Sequence, residues 1–249
     1  MSIKIKVQRT IFIVVFWTLI WYFLHLIIDQ NLYMPSPLAV FSRLSELVFL
    51  STFWLGVFSS IYRVAIGVTL SVLLGVILGV LSGSRKIFYD FLNPLVISIK
   101  STPVLSFIII ALIWFSSSNV PIFICLLMCF PIIWTNVLEG IKNVDIKLLE
   151  MAKVYKVSKI NIIKKIYIPC VKPFVFASLI TSMGLGWKVT VASEVLSYPK
   201  NAIGSNLYSS KVYLDSEQLF AWTIVVIILS IIFEITFKKL INNNSRIRS

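Results

Sequence analysis

Residues 145–169 read DIKLLEMAKVYKVSKINIIKKIYIP. Six lysines, Lys147, Lys153, Lys156, Lys159, Lys164 and Lys165, are interleaved here with apolar side chains. Asp145 is placed to cap a short helix through its side-chain oxygen. Leu148, Leu149, Ala152 and Tyr155 would then share an apolar face. Ser158 is placed to cap a second helix, with Ile162, Ile163 and Ile166 grouped, Lys159, Lys164 and Lys165 outside, and Pro169 at its end. Two short amphipathic helices of this kind can rest on a lipid surface or dock into a partner's groove. Residue types alone leave both open.

The flanks show what the stretch connects. It lies within a basic segment, about 139–172, between apolar runs at about 120–138 and 173–196. Further apolar runs cover about 10–28, a length within 53–82, about 91–115 and about 218–237. Each is near the 20 residues a helix needs to cross a bilayer. Hydrophobic residues make up 58% of the 249 and charged residues only 13%, against about 25% charged in soluble domains. Lipid, not a single soluble core, is the solvent for so much apolar surface. The run at 10–28 is too long for a signal-peptide core and is read as an uncleaved first helix. The third run holds Pro94 and Pro103 and is expected to form a short helix before a span. Residues 116–119 form a turn. The reading is an all-α polytopic membrane protein, a single domain over 1–249 with about six transmembrane helices and a cytoplasmic two-helix loop.

Charge sets the orientation. With both termini cytoplasmic, the inner segments hold 18 of the 23 basic residues. They are Lys4, Lys6 and Arg9; Arg85, Lys86 and Lys100; eight from Lys142 to Lys172; and Lys238, Lys239, Arg246 and Arg248. The outer loops hold Arg43, Lys200 and Lys211, while Arg63 and Lys188 fall within spans. Basic residues collect in cytoplasmic loops. The net charge of +13 therefore does not indicate nucleic acid, since the cations lie between spans and not on one soluble face.

Little here supports covalent chemistry. Cys125, Cys129 and Cys170 have neither disulfide-framework nor metal-ligand spacing, and the lone His25 has no partner cluster. No catalytic or metal residue is assigned, and a membrane-embedded enzyme is disfavoured. A Gly-x-x-x-x-Gly-Lys-Ser/Thr phosphate loop does not occur. Gly67, Ser71, Gly75, Gly79 and Gly83 recur every fourth residue, so one helix face can approach a neighbour closely, either within the subunit or against a moving partner. Ionisable groups within a bilayer are costly and usually face a cavity or a partner. Lys188 and Glu194, six residues apart, do not share an ideal helix face. Both, with Trp187, are candidates for the solute pathway as well as for structural contacts. Glu234 is placed at the interface and Arg63 in a structural role.

The order of residues in 145–169 resembles the EAA loop of bacterial ABC importer permeases. That loop runs Glu, a small residue, Ala, three residues, Gly, nine residues, then Ile-x-Leu-Pro. Here Glu150, Met151 and Ala152 take the first places, Ile166, Ile168 and Pro169 the last, and Lys156 stands at the central glycine. Other features are similar to the nitrate/sulfonate/taurine-type branch. These are Pro35-Ser36-Pro37, Arg63-x-x-x-Gly67, Pro103 through Trp114-Phe115, and Gly186-Trp187 through Glu194-Val195-Leu196. Ser116 replaces a customary glycine. The resemblance spans about Tyr33 to Ile235.

The resemblance implies a permease subunit of an ATP-driven importer. It implies a second copy of the chain, two ATPase subunits that bind ATP and Mg, and an extracytoplasmic solute-binding protein. It places the chain in the bacterial inner membrane, with no cofactor of its own and lipid around it. Glu150, Met151, Ala152, Lys156, Ile166 and Pro169 would couple it to the ATPases, with Ala152 where the short helix meets their groove. The solute would be a small anion or a vitamin-like molecule. The alternative, a self-sufficient channel or secondary carrier, would need no such loop.

Overall fold

The computed structural model describes residues 3–246, and among them all regular structure is helical. The helices are α1 (Ile3–Ile28), α2 (Pro37–Val48), α3 (Ser51–Ser84), α4 (Lys86–Ser101), α5 (Val104–Trp114), α6 (Val120–Lys142), α7 (Ile146–Val154), α8 (Lys159–Ile162), α9 (Ile168–Ser197), α10 (Ile203–Val212) and α11 (Ser216–Arg246). The segments read as outer loops contain helices α2 and α10. Ser36 caps α2 by accepting from the Ala39 amide at 3.2 Å. Pro37 takes the first helical position, where its missing N–H costs nothing.

The glycine stripe is the seam between α3 and α6. A Cβ on Gly67, Gly75, Gly79 or Gly83 would lie within 3 Å of side chains on Cys125, Ile133, Val137 and Ile141 respectively. Each partner is 58 positions further along the chain, so the two helices run parallel in constant register. Ser71 Oγ donates to Leu126 O across the seam at 3.1 Å, and Trp134 Nε1 donates to Ser82 Oγ at 3.0 Å. The stripe therefore packs within the subunit.

This register settles what α4 and α5 do. They are bent by 106° relative to one another, and α5, with 11 residues, is only about 16 Å long. The expected short helix followed by a full span is not found. Pro94 lies inside α4, and the break falls at Thr102–Pro103 instead. Yet Val120 begins α6 level with position 62 of α3, so the connection climbs back 22 residues' worth of helix from Ser84, about 33 Å. That is the hydrocarbon thickness of a bilayer, so the bent pair makes one crossing as a broken span.

The other helices follow by contact. Gly140 meets Val171 and Phe174, and Gly186 meets Cys125 and Cys129, so α9 runs antiparallel to α6. Phe53 stacks on Trp222, and Trp187 Nε1 donates to Val226 O, which sets α11 parallel to α3. Trp21 stacks on Phe220 and donates to Pro35 O, so α1 ends where α11 begins. Six crossings result, with the described ends of the chain on one face. That face also carries the loop from 143 to 158. Lys100 belongs to the broken span, not to a loop, and donates to Thr135 Oγ1 on α6 at 2.8 Å. His25 is structural, its Nδ1 lying 2.8 Å from Met34 O. Cys125 and Cys129 are fully buried between α3, α6 and α9.

Candidate functional site

The loop of 145–169 is built by caps. Asp145 accepts from the Lys147 amide at 2.9 Å and starts α7. At its other end Val157 N donates to Ala152 O (2.9 Å) and Lys156 N to Lys153 O (3.1 Å). These nested bonds form a Schellman ending. It requires a left-handed residue after the cap, and Lys156 supplies it with φ of 50°. The turn that a glycine would favour is thus made by a lysine. Ser158 then accepts from the Asn161 amide and starts α8.

Here the structure departs from two separate helices. Beyond Ile162 the chain passes through a π turn, Ile163–Tyr167, directly into α9. Ile168 N bonds back five residues to Ile163 O. Pro169 has no N–H to give, and in a regular helix its ring would meet the carbonyl four residues back. The wider turn before it relieves that conflict, so Pro169 sits exposed in the first turn of α9 instead of ending a helix.

Burial also redraws the faces of α7. Ala152 is 3% exposed and turned into the chain, with Leu149 half-buried beside it. Ala152, expected where the short helix meets a partner's groove, has its side chain covered within the chain. Tyr155, expected on that covered face, points outward at 76% exposure. Ile146, Met151, Val154 and Tyr155 form the outward face with Glu150 among them. Ile166 is half-buried at the π turn.

A second cluster lies near the opposite face. Glu194, on α9, is fully buried. Its Oε1 accepts from Arg63 Nη1 of α3 at 3.0 Å, and its Oε2 accepts from Ser60 Oγ at 2.8 Å and from Gly204 N at 3.1 Å. Arg63 also donates to Lys200 O (3.1 Å) and Asn201 O (3.4 Å), and Ile203 N donates to Ser60 Oγ. The backbone of α10 approaches closely because Gly204 has no side chain: a Cβ there would stand 2.4 Å from Glu194 Cβ. Two opposite charges are thus neutralised and hydrogen-bonded in one buried cluster, which pins the 198–203 connection onto α3 and α9.

The three pathway candidates separate. Trp187 is 1% exposed, donates to Val226 O and packs on Phe233, so it is a core contact between α9 and α11. Glu194 is enclosed by its cluster. Lys188 alone is exposed. Reading the sequence did not join Arg63 to Glu194, or either to Ser60 and Gly204. The available signal was a lone arginine and a carboxylate in different spans, which charge neutrality would pair.

With this geometry in view, the comparisons with known proteins are specific. Residues 71–243 match the family model described as binding-protein-dependent transport system inner membrane component. The chain belongs to this family. It is therefore the α-helical membrane component of an ABC-type transport system. An aliphatic sulfonates transport permease protein of Bacillus subtilis is 26% identical over 77% of this chain and 70% of its own length. A nitrate import permease protein of Synechococcus elongatus is 32% identical over 57% of this chain and 51% of its own. The matched part thus spans only about half of that nitrate permease. A bicarbonate transport system permease protein of the same species is 27% identical over 66% and 63%. A chain from the MetNI methionine ABC transporter in inward-facing conformations superposes with TM-score 0.65 at 13% identity, covering 76% of this chain and 96% of that one. That likeness speaks to the fold of this transport component alone.

Proposed function

We propose that this chain is the pathway-forming permease subunit of an ATP-driven importer and that two copies enclose the pathway. In this reading the α7 loop docks on separate ATPase subunits, which bind ATP and Mg, and an extracytoplasmic binding protein delivers a small anionic or vitamin-like solute. The chain itself performs no covalent step. The observation that carries the reading is the outward face of α7. Ile146, Met151, Val154 and Tyr155 are 52–78% exposed at the end of a rigidly capped loop, where a soluble partner would cover them. The relatives named for sulfonates, nitrate and bicarbonate support an anionic solute.

The coupling face is best tested away from Ala152, whose enlargement would disturb the chain's own packing. Val154→Asp is expected to weaken association with the ATPase by about tenfold or more, since a charge would have to be desolvated in the contact. Co-purification in mild detergent measures it. Wild-type association of Val154→Asp, or ATP-independent transport by the purified chain in liposomes, would refute the reading.

The basic face is assigned to the cytoplasm. Removing Lys100 from the 18 inner cations leaves 17, against 3 on the other face, and that asymmetry supports the assignment. Lys159→Cys and Lys211→Cys, both at exposed positions, are expected to react from opposite sides with an impermeant thiol reagent. Reaction of position 159 from outside intact cells would invert the topology.

A further inference from the structure

Of the two ionisable side chains Lys188 and Glu194 of α9, the first is exposed and the second enclosed, and the reason lies in the Arg63–Glu194 cluster. From sequence, Lys188 and Glu194 pull in opposite directions, one toward an anion and the other toward a cation. The structure cancels one of them. Both oxygens of Glu194 are occupied by Arg63, Ser60 and Gly204, and the carboxylate has no exposure. Lys188 has no hydrogen bond or ion pair among the described residues and is exposed. It lies nine residues short of the end of α9, about 14 Å below it. It is also close to the level of Gly67 and Cys125 in the seam, since Gly186 touches Cys125 and Val68.

An unpaired ammonium at that depth is not stable against lipid tails. Snorkelling to the near surface is opposed by direction, because side chains on a helix lean toward its N-terminus, and for α9 that is the far side of the membrane. The chain itself does not cover this side of α9: a Cβ on Gly184, one turn before Lys188, would meet none of its atoms within 4 Å. Ala177, Thr181, Ala192 and Leu196 are the other exposed positions along this side of the helix. A second cation, Lys100 on the broken span, is exposed as well and is held by Thr135. Glu234, on α11, is engaged within the chain.

We infer that Lys188 faces the water-filled passage and is the residue that selects for anions in it, by direct charge contact with the passing solute. This rests on the permease reading above and sharpens it to one side chain and one sign of charge. The solute's anionic group would exchange water for the Lys188 ammonium on passage. Glu194 would contribute no opposing field, since Arg63 neutralises it.

The test reads the passage without needing the solute or the ATPase. A cysteine is placed at Ala192, one turn from Lys188, in full-length chain carrying Cys170→Ser; Cys125 and Cys129 are buried. Open membrane fragments are treated with an anionic methanethiosulfonate (sulfonatoethyl) or a cationic one (trimethylammonium-ethyl). Ala192→Cys is expected to react well above a lipid-facing control, Leu19→Cys on α1, and to favour the anionic reagent. Adding Lys188→Gln should shift the anion-to-cation rate ratio about tenfold at low salt, the effect of one charge about 6 Å away in water on reagents of opposite sign. Lys188→Arg should preserve the ratio, and salt should compress it. Reaction no faster than Leu19→Cys would overturn the passage assignment. Normal reaction with a ratio unchanged by Lys188→Gln would overturn the selectivity role. Failure of the permease reading shows separately, as retained ATPase association in Val154→Asp.

Discussion

The Arg63–Glu194 cluster and the α7 loop are two polar regions near opposite faces of the same bundle, and they are finished to different degrees. In the cluster the paired charges and the amides of Ile203 and Gly204 find partners within the chain and are buried. In the loop the backbone is satisfied by caps at both ends of α7, but the side chains of one whole face are left uncovered. The first region is complete alone and holds three elements, α3, α9 and α10, as one body. The second is complete only in backbone and leaves its apolar face exposed. Stability should reside in the first and coupling in the second, which mutations can separate.

The largest expected effect is in the cluster. Arg63→Ala leaves a buried carboxylate without its counter-charge, which costs about 3–5 kcal/mol. Thermal unfolding in detergent is expected to show that loss, while ATPase association per folded molecule stays unchanged. Combining Arg63→Ala with Glu194→Gln removes both charges and is expected to recover part of the loss. If the single variant unfolds like wild type, the cluster is not the anchor described here. Next comes the seam. Gly67→Val would drive a methyl-bearing carbon to within 2.6 Å of Cys125 Cβ, and overpacking of this kind costs about 1–3 kcal/mol. The same assay measures it, and a wild-type midpoint would contradict the parallel register of α3 and α6.

In the loop the sign of the result reverses. Val154→Asp is expected to leave the unfolding midpoint unmoved and to lower ATPase association about tenfold, equivalent to about 1.4 kcal/mol. A drop in both would erase the contrast between the two regions. The smallest effect belongs to Lys156. A non-glycine residue in the left-handed region is strained by about 1–2 kcal/mol, offset in part by the chain entropy glycine loses on folding. Lys156→Gly is therefore expected to slow amide exchange at the turn by a few-fold, corresponding to about 0.5–1 kcal/mol, with docking retained. Faster exchange would mean that the lysine side chain holds the turn by a contact of its own.

The sequence by itself determined the solvent, the number of crossings, the asymmetry of charge, and the caps at Asp145 and Ser158. These are local properties: run length, residue type and spacing along one helix decide them. Tertiary structure decided the rest. It bent the third span at Pro103 and not at Pro94, because only the parallel seam of α3 with α6 fixes how far the connection must climb. Pro169 was carried into α9, where the chain stays helical past it and a π turn relieves the conflict of its ring. Ala152 was turned inward and Tyr155 outward, and Trp187 was buried against α11. Glu194 was joined to Arg63, 131 positions away. In water, hydrophobic patterning tells inside from outside. In a bilayer, lipid and protein neighbours are equally apolar, so the pattern marks a span without saying which face meets lipid, protein or passage. That information enters only when the helices are assembled and each charge finds, or fails to find, its partner.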